Sequence, residues 1–577
     1  MPEHSTETDE AVAKFLTQFE GARRLTPNDL VGYKSNFCAG WEIPDLCTDS
    51  ARKLRILLPA PTSAMPVRVA VHPAPPVLAW PHLEAGGLLC LPTAPELTSV
   101  GGILDAIPRL LEDARILVNV SAAELNVQDF EDEFTSYWTR WDRTNAALNL
   151  VCEPRGPSRE IAVWHSTEAL FAAEDEASLR AWLANRFREP TPTKAKCVPA
   201  SLIWLPRALR PSEYPTTVAA LRVSLNENPS ALAHLDAALL RAATEPKLVV
   251  LGMPTRKGVA FAGLCIHKPA GITRGFPPKR VPDDWTLSRY SAGRIDGASV
   301  TRLDHAWIHG RDHNADAAVL RVKRVAVMGV GAVGSGVADL LAKAGIGKML
   351  LYDPEMLESA NSSRHLLGVP AAGAQKSKAV AQEITRRLPH LCVTAFGAFA
   401  GTPAIIESLQ AVDLIVSMTG DWPTEYLLDA IWVANGALPP ILYGWMEPHA
   451  AAGHALAFKT RERCLRCVLD DQGRARIAVT AWPLRTTADI PACGGTFQPY
   501  GAAELAQTHA LIADLVIDLL MNRTKATAHR VWIGPQDHVK RAGGAWEPRW
   551  IAAYGDPAEG GRLAEVPISP CDKCRAS

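Results

Sequence analysis

No stretch of this 577-residue chain reaches the roughly 18 uncharged apolar residues that a membrane-spanning helix needs. The best candidate, "ALIADLVIDLLM", is interrupted by Asp514 and Asp518, so no membrane partner is expected. An excess of either charge is also missing. With 60 Lys and Arg against 61 Asp and Glu the net charge is −1, which removes the electrostatic footprint of a nucleic-acid binder. The opening residues, "MPEHSTETDEAVAKF", lack the basic and apolar blocks of a secretory signal, and a cytoplasmic location is the expectation. Twelve cysteines are scattered apart from two close pairs, and in a reducing compartment such pairs point to metal binding or catalysis before disulfides. What is present is an ordinary globular balance, 47% hydrophobic and 21% charged, over a length that a prior of ~150 residues per domain divides into about three or four domains.

The pattern along the chain predicts an α/β multidomain protein. Short strand-like runs, "KLRILLPA" and "VRVAVHPAP", lead to Cys90, after which "SVGGILDAIPRLLEDA" has helical apolar spacing and "FEDEFTSYW" closes the unit near Trp138. A middle region, about 146–310, mixes strand-like runs ("EIAVWH", "KLVVLGM") with Pro-rich links and carries no repeat or chemical motif. From Arg324 onward strands and helices alternate: "RVAVMG", a helix from Gly334 to Ala344, "KMLLYD", a helix near Lys378 to Arg387, then "VDLIVSM". Such alternation predicts a parallel sheet covered by helices.

In "VAVMGVGAVGSGVADLLAKAGIGKMLLYDPE", Gly329, Gly331 and Gly334 form a GxGxxG between a predicted strand and helix. Glycines there permit a tight turn and let backbone N–H groups approach phosphates at the positive helix end. Asp353 ends the next strand, where a carboxylate can accept from ribose hydroxyls. Asn361, Arg364, Lys376 and Lys378 follow, and Asp421 lies just beyond a later strand. A dehydrogenase needs no such array of cations. An enzyme that cleaves ATP does, because polyphosphate charge must be held while it builds on the leaving group.

Two Cys-x-x-Cys hooks, Cys464 with Cys467 and Cys571 with Cys574, can supply four thiolates to one tetrahedral zinc and fasten the C-terminal tail to the domain. A redox pair or unliganded thiols would use the same residues. Between the hooks, Cys493 stands in a Gly-rich segment before an amphipathic helix with Leu505, Ile512, Leu515 and Leu519 on one stripe. A cysteine so placed can be exposed, with a depressed thiol pKa.

Residues 311–577 resemble the ubiquitin-activating superfamily, including the ThiF-type adenylating enzymes of sulfur-carrier pathways. The resemblance implies a Rossmann-like domain that binds ATP and Mg2+ through Gly329, Gly331, Gly334, Asp353, Asn361, Arg364, Lys378 and Asp421, although "MTGD" is offset by one residue from the usual Thr-Asp pair. It also implies a structural zinc on the four cysteines, a thioester on Cys493, and a homodimer in which Arg311 reaches the partner subunit's ATP.

Upstream, "WPHLEAGGLLCL" resembles the ubiquitin-conjugating enzymes, which carry His-Pro-Asn, seven residues, then Cys-Leu. Trp80, Pro81 and His82 stand in that register ahead of Cys90 and Leu91. His82 replaces the asparagine, and a histidine can donate to a developing oxyanion. The expected organisation is therefore an α+β ubiquitin-conjugating-like domain over 1–145, a mixed α/β connector over 146–310 and the adenylation domain over 311–577.

Such a fusion resembles the transferases of cyclic-oligonucleotide (CBASS) antiphage operons. That implies activation of a protein C-terminus, that of a cGAS-like nucleotidyltransferase, relay from Cys493 to Cys90, and transfer to lysines of target proteins in antiviral defence. The alternatives are a sulfur-carrier adenylyltransferase, to which Cys90 would be irrelevant, a nicotinamide-dependent dehydrogenase and an inactive scaffold.

Overall fold

The computed structural model describes residues 3–576 except 34–36, 45, 50, 60–65, 93–99, 142–146, 167–168, 188–195, 242–245, 273–274, 278–280, 400–402, 492–495 and 525–526. Two compact units divide the chain. One comprises Met1–Leu148, Arg155–Glu160 and Val198–Thr301, the other Asn149–Pro154, Ile161–Cys197 and Arg302–Ser577. The middle region is thus shared between them.

In the first unit an antiparallel meander joins Phe37–Ile43, Lys53–Pro59 and Arg68–His72. Its inner face buries Ile43, Leu54, Ile56 and Val71 against the helix Val100–Ala122. Ile107, Leu111 and Ala114 lie on that helix at spacings of four and three, the stripe expected of a helix laid on a sheet. A second core in this unit forms around Cys197–Trp204, Lys247–Thr255, Gly258–Ile266 and Ile295–Ala298; the first pair is parallel and the others antiparallel. The "FEDEFTSYW" segment supplies the helix Phe134–Trp141, and Phe134 and Trp138 are buried in that second core beside Tyr214, Val249 and Leu264.

The second unit is built on an eight-stranded sheet. Its order is Cys392–Phe396, Lys348–Tyr352, Arg324–Met328, Leu414–Ser417, Ile441–Met446, Ala452–Phe458, Thr527–Ile533, Arg562–Glu565. The first five are parallel, and the rest add antiparallel. Alternation along "RVAVM" sorts the two faces: Val325 and Val327 enter the core made with the helices Ala332–Ala344, Lys376–Arg387 and Ala502–Leu520, while Ala326 and Met328 face the helix Trp422–Ala434. This is the doubly wound arrangement that the sequence pattern predicts.

The stripe Leu505, Ile512, Leu515 and Leu519 is buried, as expected for the helix Ala502–Leu520. Asp514 and Asp518 do not break it, because both pair with Arg530 on the neighbouring strand, at 2.8 and 2.5 Å. Among the described residues, no helix is long and apolar enough to cross a membrane.

Candidate functional site

The sheet order reverses between Arg324–Met328 and Leu414–Ser417, and the doubly wound topology puts a crevice beyond the C-terminal ends of strands at such a point. In open α/β sheets this is where ligands bind. The glycine loop fills one side, and its three glycines have different reasons to lack a side chain. Gly329 has φ +83°, and a Cβ there would stand 2.7 Å from the carbonyl of Met418. A Cβ on Gly334 would stand 1.9 Å from the Gly329 carbonyl, so this residue permits the helix to meet the strand. Gly331 caps the helix Ala332–Ala344, and a Cβ there would meet nothing within 4 Å. The described residues give no packing reason for glycine at 331, and the backbone there is open to a ligand.

Asp353 stands at the end of the next strand, 3% exposed. Its Oδ2 accepts from the Val330 N–H at 2.9 Å and its Oδ1 from Glu355 N–H at 2.8 Å, so it braces the glycine loop. Burial pushes its carboxyl above the ordinary range. Lys376 is buried and paired with Glu355, whereas Lys378, two positions along the same helix, is exposed. Asn361 closes a 3-10 turn, its Oδ1 accepting from Glu358 N–H at 3.1 Å. Arg364 lies 4.6 Å from the ring centre of Phe497 and 4.5 Å from that of Tyr500, and donates to the Gln498 carbonyl. Arg364 is therefore brought to the segment that follows Cys493 in sequence. Cys493 itself lies outside the described residues.

Asp421 is the N-cap of the helix Trp422–Ala434, accepting from the backbone N–H and hydroxyl of Thr424 at 3.0 and 2.6 Å. Beneath it Glu425 accepts from Thr419 N–H and Oγ1 and from Ser417, and burial raises its carboxyl to about 7. A carboxyl whose folded pKa lies above its ordinary 4.5 keeps a proton that the unfolded chain releases earlier. Stability should therefore fall as pH rises between these values, by an amount on the order of 3 kcal/mol. Urea midpoints at pH 5 and 8 check this: Glu425→Gln should flatten the decline that wild type shows.

Arg311 and Asp312 both adopt left-handed backbone, at φ 49° and 68°. Asp312 is held by Arg302, itself bound to Asp304, and Arg311 is exposed.

The four hook cysteines converge. Sγ distances are 3.8 Å for Cys464–Cys571 and Cys467–Cys574, 3.6 Å for Cys571–Cys574 and 3.5 Å for Cys464–Cys574. A tetrahedral ion with bonds of ~2.3 Å requires sulfurs about 3.8 Å apart, and these are close to that spacing. Asp429 accepts from Leu465 N–H at 3.0 Å and so positions the first hook. Chelation, or Cys574→Ser, is expected to lower the thermal midpoint of this unit by about 10 °C. Calorimetry with and without added Zn2+ checks it.

In the first unit Cys90 is exposed on a loop that runs back along the meander. Its backbone N–H donates to the His82 carbonyl at 2.8 Å. The His82 ring lies between two carboxylates, Nε2 3.1 Å from Asp129 and Nδ1 3.5 Å from Glu133. The Tyr137 hydroxyl accepts from His82 N–H at 3.0 Å and donates to Glu133, and burial pushes its phenol up. Asp129, Glu133 and Tyr137 thus surround His82, three contacts that sequence reasoning missed. Their spacing of four in "DFEDEFTSY" was the available signal, although the structure splits the segment into the helices Asp129–Asp132 and Phe134–Trp141 with Glu133 between them.

The ThiF family model matches residues 311–527, and the prokaryotic E2 family B model matches 38–146. The chain joins an E2-like domain to a ThiF domain. The E2-like domain carries Cys90, and the ThiF domain carries the glycine loop and the first cysteine hook. An ATP-dependent ubiquitin transferase-like protein Cap2 from Pseudomonas aeruginosa is 28% identical over 229 residues, covering 38% of this chain and 40% of that relative. A ubiquitin-like modifier-activating enzyme 5 from Drosophila grimshawi is 29% identical over 231 residues, covering 36% of this chain and 56% of its own. The chain thus spans about half the length of these relatives. The Escherichia coli MccB structure with AMPCPP and MccA overlaps at TM-score 0.31 and 13% identity, covering 53% of this chain and 75% of that one.

Proposed function

We propose that the protein activates a protein C-terminal carboxylate with ATP and transfers it, through two cysteines, to an amine. A carboxylate is a poor electrophile. Attack of its oxygen on the α-phosphorus of ATP forms an acyl-adenylate and releases pyrophosphate. The Cys493 thiolate then attacks the acyl carbon, the carbon–oxygen bond to AMP breaks, and a thioester remains. Exchange onto the Cys90 thiolate returns the Cys493 thiolate, and attack by a lysine amine gives the amide and frees Cys90. Each step replaces one leaving group by another, so no oxidant or reductant is needed.

The observation that carries the reading is Gly331, which faces open space at a helix N-terminus within the crevice. Backbone N–H groups there can hold the polyphosphate. Asp353 keeps a second lone pair on each oxygen for a ribose hydroxyl, while Asn361, Arg364, Lys378 and Asp421 complete the nucleotide site. Mg2+, when bound, offsets phosphate charge. Zn2+ on the four cysteines is structural.

The similarity to the ATP-dependent ubiquitin transferase-like proteins Cap2 supports the ATP-dependent transfer. The same architecture leads us to a cGAS-like nucleotidyltransferase as the activated protein, antiviral defence as the setting, a cytoplasmic homodimer with Arg311 extended to the partner subunit, and domain boundaries near 145 and 310. The test incubates the full chain with ATP and proteins of its source lysate, then scores thiol-sensitive adducts. Wild type should form them on both cysteines and Cys493→Ala on neither. Charging of Cys90 at the wild-type level in Cys493→Ala overturns the relay, and protection by NAD without protection by ATP overturns the nucleotide site.

A further inference from the structure

A cluster of three imidazoles lies outside the glycine loop and the cysteine sites, beside the turn that carries Arg311. His305 and His309, four residues apart at the short helix His305–Ile308, meet His390, which follows the helix Lys376–Arg387. One potential ligand nitrogen from each ring falls within 4.8 Å of the others. The ring centres are 4.4 Å apart for His305 and His309, 5.0 Å for His309 and His390, and 5.5 Å for His305 and His390.

Backbone carbonyls fix the protons on two of these rings. His305 Nε2 donates to the Gly345 carbonyl at 2.8 Å, and His309 Nδ1 donates to the Lys343 carbonyl at 3.0 Å. Both carbonyls belong to the C-terminal end of the helix Ala332–Ala344, the end that favours positive charge. In the neutral rings His305 Nδ1 and His309 Nε2 are left as lone pairs. An imidazole whose second nitrogen donates to a carbonyl is the arrangement that orients metal-binding histidines and makes them better ligands. Gly345, at φ +96°, lets the rings approach: a Cβ there would stand 3.1 Å from both imidazoles.

His390 is left short of partners. Its Nε2 is 2.8 Å from His309 Nε2, which carries no proton when Nδ1 does, and its buried Nδ1 has no partner among the described residues. If Nε2 of His390 is protonated, Nδ1 is a buried acceptor without a donor. If Nδ1 is protonated, two lone pairs face each other. Each arrangement leaves a buried polar atom unsatisfied, at a cost of about 1–3 kcal/mol. A cation between the rings converts the facing lone pairs into ligands.

We infer that His305, His309 and His390 form a second transition-metal site, selective for Zn2+-class ions and distinct from the four-cysteine site. Three imidazoles suit Zn2+, Ni2+, Co2+ or Cu2+ and disfavour Mg2+ and Ca2+, which take oxygen. Tetrahedral Zn2+ with bonds of ~2.0 Å places ligand nitrogens about 3.3 Å apart, so the His309–His390 pair opens by roughly half an ångström to receive it. Bound there, the ion ties the turn that carries Arg311 to two helices of the same unit.

The test is a Co2+ titration of the full chain after chelator treatment and dialysis. Wild type should bind two equivalents, one with a thiolate-to-cobalt charge-transfer band and one with d–d bands alone. His309→Asn and, separately, His390→Asn should lose the second equivalent, keep the first, and retain the wild-type circular dichroism. Zn2+ should raise the thermal midpoint of wild type more than that of either variant. The inference is overturned if both variants bind as much cobalt as wild type, or if all wild-type cobalt shows thiolate bands. Failure of the four-cysteine site would read differently, as a missing charge-transfer band beside intact d–d bands.

Discussion

Replacing Cys90 with alanine should abolish amide product, by about 10³-fold or more, while ATP–pyrophosphate exchange stays within about twofold of wild type. The two readouts separate because, in the proposed mechanism, Cys90 takes no part in making the adenylate. It sits in the E2-like domain, exposed, with its backbone fixed to His82. Alanine keeps that backbone bond and removes only the sulfur, so a folding defect is not expected. Conjugation is measured on gels under reducing conditions and exchange with labelled pyrophosphate. A variant that still forms amide at a rate near wild type would show that the ThiF domain passes its acyl group directly to the amine, and Cys90 would leave the mechanism.

Gly331→Val should weaken ATP binding by about 100-fold, or ~2.7 kcal/mol, while costing no more stability than the roughly 1 kcal/mol of a poorer N-cap. The glycine has φ −72°, which any residue tolerates, and its missing side chain points at no protein atom. Two methyl groups in that space meet only what occupies the crevice. Gly334→Ala is the contrasting variant. Its methyl would lie 1.9 Å from the Gly329 carbonyl, and the strand and helix must separate, with a stability cost of about 3 kcal/mol. Isothermal titration with a non-hydrolysable ATP analogue and calorimetry on both variants test the division. If Gly331→Val binds the analogue as wild type does, the polyphosphate does not lie over the helix N-terminus.

The parts of this protein that were legible in the sequence are those that short-range rules impose. The alternation in "RVAVM", the glycine spacing after it and the stripe on "LAQTHALIADLVIDLL" each need only a few residues of context. The cysteine hooks were legible too, as two Cys-x-x-Cys pairs, and the structure brings their four sulfurs together. What escaped depends on distant segments meeting. Nothing near His82 announces that Asp129 and Glu133 hold its ring, 47 and 51 residues later. Asp353 was read for a ribose, yet its oxygens brace Val330 and Glu355, a role visible only when two strands lie side by side. His390 gave no signal at all, since its partners are more than 80 residues away and a lone histidine after a helix is unremarkable.

Arg364 has a consequence that reaches beyond its contacts. Arg364 stands over the rings of Phe497 and Tyr500 and donates to the Gln498 carbonyl, and a guanidinium carries further N–H groups that a phosphate can engage. A nucleotide that fixes the edge also fixes the plane on which the two rings stack. Occupancy of the crevice and order in residues 497–500 are then thermodynamically linked, and linkage runs both ways: 1 kcal/mol of coupling is about fivefold in affinity in either direction. If the proposed nucleotide site is right, the segment that follows Cys493 in sequence would report, through a single side chain, whether the nucleotide has arrived.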